Sequence, residues 1–525
     1  MHQALLIEEI QLSIFNQILG SRTLYALART CQAFTETALD VLWCDLDCFP
    51  RLIQCMPKDL WMSELNQEEH SLAITLCRPI SSGDWAILQK YSRRVRSVRG
   101  PNNHPIDGPV WITDDALLLA LCPPSAPSPL LPNLTSLRWH VSSDAHLIAL
   151  RRLVPSSLAS LDLWFEKDRF FGPVSFDLNS AIQFPFTQVF PSLKTLIAGA
   201  EEGIPPYLLE GLQPSISQLQ NLGTIDWPHL RSENIMSLAQ LPTLTEASFN
   251  LPSNFSQYIG TLPPRSSMRK PAFSKVHKLV IKYAAPAAVL SFLTYFALDL
   301  DVVSVLFCDP PSPSQIGDFL SSLASSPSRN IRFLSINDIM QIITGRNRTE
   351  YQPLTKHKLV PLLQFKELRH LRANLQCSII LNDADLLEMA NAWPNIITLE
   401  LNEHLPPGSH VNPGPYALVA LLDRCPKLSV LSIQVDFSPI DRVDFDPLSI
   451  ADSFDSRHGR NGGNLRSLSF GEYNIINPDA IAKFLACIVP DEACVDMRWP
   501  LSFMPDIYEE RWGLTKQIFN SIRST

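Results

Sequence analysis

Thirteen times along the chain a short apolar core of the form LxxLxL returns, and no other feature constrains the fold as tightly. The cores begin at Leu134, Leu158, Leu193, Leu222, Leu244, Val276, Val302, Ile331, Leu368, Ile396, Leu428, Leu465 and, as the weakest match, Cys494. Val95 and Val98 read as an earlier, degenerate copy. Successive starts lie 22 to 37 residues apart, the spacing of a repeat whose loops vary in length. Each core follows a Pro or Asn and leads into a polar or helical stretch. The spacing predicts helices in AAVLSFLTYFAL from 287, SQIGDFLSSLASS from 314, DADLLEMANAW from 383, YALVALLDRC from 416 and DAIAKFLACIV from 479.

Strand and helix in alternation point to an α/β arrangement with a parallel sheet. One such unit buries too few side chains to offset the backbone entropy of its own residues, so neighbours must stack. A horseshoe solenoid is expected, with parallel strands on the concave face and helices on the convex face. The alternative is one large α/β domain whose strands share the pattern by coincidence. Pro-, Ser- and Gly-rich inserts at 100–109, 123–132, 251–271, 345–353 and 452–464 read as loops.

The cores LTSLRW, LASLDL and LRSLSF resemble leucine-rich repeats, a likeness that covers about 134–500 and, with less regularity, 70–133. The family's regular Asn or Cys after each core is missing, so curvature and repeat boundaries do not follow from the pattern. The resemblance implies a partner protein on the concave strand face. The residues between the last two core positions face that side, since side chains alternate along a strand. They read Arg138, Asp162, Ile197, Asp226, Ser248, Val280, Leu306, Ser335, Arg372, Glu400, Ser432, Ser469 and Arg498. Ile197, Val280 and Leu306, with Asp162 and Asp226 towards one end and Arg372 and Glu400 towards the other, are the expected target-binding set. A loop such as 251–272 or 344–358 folding over them is the competing expectation.

Before the repeats lies a different pattern. Ile10, Ile14 and Ile18 recur at helical spacing, Leu24, Leu27, Ala28 and Cys31 do so again, and Phe34, Ala38, Val41 and Leu42 form a third set. Gly20 and Ser21 separate the first two helices, and Thr35 stands where the third is expected to begin. About forty residues are too few for an adequate core, and Phe15, Tyr25 and Trp43 cannot all fit inside. Apolar surface is left over for a partner. The runs EEIQLSIFNQIL, LYALARTCQAF and ALDVLW resemble an F-box, the adaptor-binding motif of substrate receptors in cullin-RING ubiquitin ligases. LIQCMPKDLW at 52–61 and RPISSGDWAILQKYSRRVRSVRG at 78–100 resemble the fungal class of these proteins. Ile7-Glu8 replaces the usual proline after the first leucine, and Ser21-Arg22 opens the second helix where an acidic residue is common, so weaker docking of the first helix is expected. The resemblance implies a Skp adaptor bound through Ile10, Ile14, Phe15, Ile18, Leu24, Leu27 and Trp43, a cullin-RING core beyond it, and an unknown target on the repeats. The expected order is an F-box-like helical domain over 1–60, a connecting and capping region over 61–133, and the solenoid with its C-terminal cap over 134–525. The alternative is an interaction scaffold whose helices only cap the array.

Composition bounds the remaining classes. With 46% hydrophobic and 18% charged residues the chain is globular, and a net charge of −9 argues against general nucleic-acid binding despite basic stretches at 90–99, 265–278 and 346–358. Eleven cysteines without a CxxC pair fit reduced thiols in a cytoplasmic or nuclear compartment, and Cys44 with Cys48 lacks neighbouring histidines for a metal. MHQALLIEEIQL has no basic start, so secretion is not expected. Asp299 and Asp301 interrupt the most apolar stretch, 284–308, so a membrane span is not expected either. The acceptor tripeptides at Asn133, Asn254 and Asn347 read as chance matches in this setting. His140 with Asp144, Asp299 with Asp301 and Asp383 with Asp385 are short patterns of catalytic type that arise often by chance, and HGRNGGN at 458–464 lacks the lysine of a phosphate loop. Neither catalysis nor a cofactor is expected.

Overall fold

The computed structural model describes residues 3, 7–18, 20–66, 71–100, 110–113, 115–123, 129–165, 186–200, 216, 218–262, 272–296, 298–326, 330–339, 352–401, 412–441, 464–470, 475–490, 493–496 and 506–524. They form two compact units, Met1–Leu244 and Thr245–Thr525. The expected loops at 101–109, 124–128, 345–351 and 452–463 lie outside the described residues.

The first unit opens with helices α1 (Glu8–Phe15), α2 (Ser21–Thr30) and α3 (Gln32–Cys44). Helix α3 begins three residues before Thr35, whose hydroxyl instead donates to Ala28 O at 2.9 Å and ties α3 back to α2. Directly after α3 comes a strand, Asp45–Leu46, which pairs in parallel with Ser97–Val98, the degenerate copy. Ser136–Val141, Ser160–Phe165, Thr195–Ala200 and Thr224–Trp227 follow in the same parallel order. A separate small sheet carries the antiparallel pair Trp61–Asn66 and Ser71–Leu76, with Val110–Thr113 parallel to the latter.

Each strand forms because its sequence alternates. Leu161, Leu163 and Phe165 are buried, while Ser160, Asp162 and Trp164 between them are half-buried on the opposite face. The first leucine of each core lies two residues ahead of its strand and fills the stack: Leu134, Leu158, Leu193 and Leu222 are all fully buried. Backbone geometry repeats with it. Arg96 O accepts from Thr135 N and Ser136 N, Thr135 O from Ala159 N and Ser160 N, Ala159 O from Lys194 N and Thr195 N, and Lys194 O from Gly223 N and Thr224 N. Side chains just before the core add to this ladder. Asn133 Nδ2 donates to Arg93 O at 2.6 Å, Asn221 Nδ2 to Pro191 O at 3.1 Å, and Thr243 Oγ1 to Leu222 O at 2.8 Å. Inter-repeat bonding therefore falls to the residue before LxxLxL, where the usual family pattern places its Asn or Cys after it. Asn133 and Thr135 of the first acceptor tripeptide belong to this ladder.

The second unit continues the arrangement with parallel strands Glu246–Asn250, Lys278–Ala284, Val302–Phe307, Phe333–Asp338, His370–Asn374, Thr398–Leu401, Val430–Ser432, Ser467–Ser469 and Cys494–Asp496. The five sequence-predicted helices are present as Pro286–Tyr295, Pro313–Ser325, Asp383–Ala392, Pro415–Arg424 and Pro478–Ile488. Reciprocal caps at Ser312 with Gln315 and Asn382 with Asp385 start two of them. The insert expected to be loop over 251–271 carries a short helix, Phe255–Thr261, because Phe255 is buried against Phe292 at 5.8 Å between ring centroids. A final helix, Asp506–Ser524, buries Trp512 and donates from Arg523 to Pro490 O at 2.8 Å and Ala493 O at 3.0 Å.

Two cores sit in a different frame from the one the sequence pattern indicates. Val280 pairs with Ser304, so the repeat that reads VVSVLF starts at Leu300, and Leu306 lies one outward position further on. The ambiguity arises because Val302, Val303, Val305, Leu306 and Phe307 are apolar on both faces. In the last repeat Asp496, partner of Ser469, takes the row position expected for Arg498, which lies outside the described residues.

Candidate functional site

Helices α1 to α3 close on a small core of Phe15, Leu24 and Ala38, with Ile18, Leu27, Ala28, Phe34, Val41 and Leu42 packed around it. Phe15 meets Phe34 edge-to-face at 5.6 Å, and the buried Thr37 hydroxyl donates to Gln11 Oε1 at 2.8 Å, fixing α1 on α3. Of the expected adaptor residues, Phe15 and Leu24 are each only 5% exposed, and Ile18 and Leu27 are half-buried beside them, so these four pack the helices together. Trp43 packs against Tyr91 of the helix Ser82–Ser92, the rings tilted by 40° with centroids 4.8 Å apart. The buried Arg94 guanidinium is paired with Glu36 and Asp40 of α3. Both contacts brace α3 against the repeats, and Arg94 holds the Glu36 carboxyl below its usual range.

What α1 leaves open is a stripe. Ile10 and Ile14, four residues apart on one face of α1, are 36% and 45% exposed, and Ile7, the extended residue that precedes the helix, is 47% exposed. Tyr25 of α2 is exposed as well, with the Arg29 guanidinium 5.5 Å from its ring centre. Of the expected adaptor set, Ile10 and Ile14 alone lie on this surface. Ile7, outside that set, is exposed beside them, and its place one turn before Ile10 is visible in the sequence.

Within each unit the row of strand residues opposite the core is a second surface. In the first unit Arg138, Asp162, Ile197 and Asp226 are successive partners across four strands. Arg138 Nε donates to Asp162 at 2.6 Å. In the second unit the row runs Ser248, Val280, Ser304, Ser335, Arg372, Glu400, Ser432, Ser469 and Asp496, with Arg372 Nε 3.0 Å from Glu400 Oε2. Leu306 falls instead beside Asn337, which pairs with Asn374. Ile197, Val280 and Leu306 are each half-buried, between the wet face and the covered one that the sequence left open.

Of the short acidic patterns, Asp383 with Asp385 is engaged in the fold. Asp383 Oδ1 accepts from Gly414 N at 2.6 Å, while Asp385 caps its helix and meets Lys356 at 2.9 Å. Asp301 O belongs to the repeat ladder, accepting from Arg332 N and Phe333 N. His140 lies on a strand and Asp144 opens the helix Asp144–Leu153. Among the described residues no group of His, Cys, Asp and Glu could hold a metal ion, and no helix is long and apolar enough to cross a membrane. None of the eleven cysteines is in a disulfide. Burial pushes the Cys377 thiol up to about 12 and those of Cys55, Cys122 and Cys425 to about 11, the opposite of an activated nucleophile.

No protein-family model matches the chain, and no curated protein matches it. Among solved structures it is similar to one described as the crystal structure of the Rad7 and Elc1 complex in yeast, at 12% identity and a TM-score of 0.33, covering 89% of this chain and 88% of that chain.

Proposed function

We propose that this chain is the substrate-recognition subunit of a ubiquitin ligase of the Skp-cullin-F-box type. The Skp adaptor docks on α1 and α2, and the repeat array holds a target protein. The observation that carries the reading is the exposed set Ile7, Ile10 and Ile14, apolar side chains at the start and along one face of α1, left open while the same helices bury Phe15 and Leu24. Such a face is costly in water and is relieved by a partner. Bracing by Arg94 and Trp43 keeps it in a fixed orientation, which lowers the entropy lost on docking. Chemistry then belongs to other subunits, and this chain contributes proximity in a cytoplasmic or nuclear setting.

A second reading, a scaffold whose helices only cap the array, is favoured by one feature: α3 runs directly into the first strand, Asp45–Leu46. Mass spectrometry of partners recovered on the tagged full chain separates the two. Recovery of Skp and cullin is expected for the receptor, and a partner list without either overturns it in favour of the scaffold.

A further inference from the structure

Where the strands of the second unit begin, the backbone ladder sets one residue of each repeat beside its counterpart in the next. Arg332 N donates to Asp301 O at 2.8 Å, Arg369 N to Arg332 O at 2.8 Å, and Ile397 N to Arg369 O at 2.7 Å. Arg332 and Arg369 are therefore successive members of one row, their backbones about 4.8 Å apart at the usual strand spacing. Both side chains are exposed, and among the described residues neither forms a hydrogen bond or an ion pair, not even with Asp301 on the strand before. Arg372, by contrast, is held by Glu400 at 3.0 Å. Like charges at adjacent strand positions repel, so the unpaired couple is a cost that the fold itself does not offset. Lys366, exposed three residues before Arg369 with Glu367 beside it, adds a further cation to this edge. His370 registers the excess: burial, then the charges of Arg372 and Arg369, pushes its imidazole below the ordinary range.

We propose that Arg332 and Arg369 form a clamp for an Asp or Glu side chain in an extended acidic segment of the target protein, with Lys366 at its side. Planar guanidinium groups offer paired donors that match the two oxygens of a carboxylate, and an anion seated between two of them turns their repulsion into attraction. One residue further along the same two strands, the half-buried rings of Phe333 and His370 lie 5.7 Å apart and give an apolar residue next to the acid a place to rest. The chain's net charge of −9 favours a short acidic segment over a nucleic acid, because a continuous phosphate backbone running past this basic edge meets a surface of its own sign. The inference rests on the target-receptor half of the proposed function and specifies the chemistry of the segment bound.

The test is peptide display. A random-peptide library is selected on the full chain, and the enriched peptides are expected to share an Asp or Glu at one fixed position. Replacing that residue by its amide should weaken binding about tenfold or more. Arg332→Gln combined with Arg369→Gln should cause a comparable loss without lowering the thermal midpoint, since both positions are exposed. Arg96→Gln combined with Arg151→Gln removes the same charge from exposed positions of the first unit and should leave binding unchanged. No enriched family, a family without a shared acid, acidic peptides that bind the Arg332 and Arg369 variant as tightly as the natural chain, or an equal loss in the Arg96 and Arg151 variant would overturn the clamp. An unstructured RNA that binds through the same arginines more tightly than the enriched peptides would overturn it too. Adaptor recovery on the same preparations keeps the two claims apart. Arginine-dependent peptides without Skp leave the clamp standing and remove the ligase reading, whereas Skp recovery with arginine-independent peptides does the reverse.

Discussion

Helix α1 and the strand Ser160–Phe165 are both rich in large apolar residues, and they dispose of them in opposite ways. The strand buries Leu161, Leu163 and Phe165 at 1% exposure or less, because the next repeat supplies the other half of each contact. Helix α1 buries Phe15 and leaves Ile10, Leu12 and Ile14 at 36% exposure or more. The strand buries its apolar groups within the chain, whereas α1 leaves most of its own exposed. In the proposed receptor, stability and recognition therefore fall to different side chains, and mutations can separate them.

The largest expected effect is in the stack. Leu399 is fully buried and pairs with Leu371 and Leu431, so Leu399→Asp places an unpaired charge between repeats and should cost upwards of about 4 kcal/mol. Limited proteolysis should then cut within Thr245–Thr525, and a pattern like that of the natural chain would show this core to be wrongly placed. Next comes Phe15→Ala, which removes the centre of the small helical core at about 3 to 5 kcal/mol. Hydrogen exchange should accelerate over α1 to α3 and leave the strands protected. Acceleration throughout would mean that helices and repeats unfold as one, and the contrast drawn above would fail.

A smaller effect is expected from pH. Arg78 and Ser81 hold the Asp84 carboxyl well below the usual carboxylate range at the start of the helix that carries Tyr91. A carboxyl whose folded-state pKa is lowered stabilises above the unfolded value of about 4, and that contribution fades as pH falls below it. Melting curves between about pH 6 and pH 3 should therefore drop more steeply for the natural chain than for Asp84→Asn. Equal slopes would remove Asp84 from the bracing of the helices.

Much of this contrast was legible in the sequence, for reasons tied to particular residues. Leu134, Leu158 and Leu193 announce their strands because each recurs with its two followers at one spacing. Leu300 was hidden because its strand is apolar on both faces, so periodicity could not choose the frame that places Ser304 outward. Phe15 and Ile14 are adjacent apolar residues on one helix, and which of them turns inward depends on Phe34 and Gln11, contacts that no local pattern contains. The short strand Asp45–Leu46 was masked by the helical pattern running into it.

The central claim is that the exposed face of α1 serves a partner and not the fold. Replacing Ile10 and Ile14 together by lysine tests it most directly, because exposed substitutions usually shift stability by about 0.5 kcal/mol or less. The tagged chain, natural and doubly substituted, would be compared for its thermal midpoint and its co-purifying Skp adaptor. The account predicts matching midpoints, adaptor with the natural chain and none with the variant. Equal adaptor recovery from both, or none from the natural chain, would contradict it.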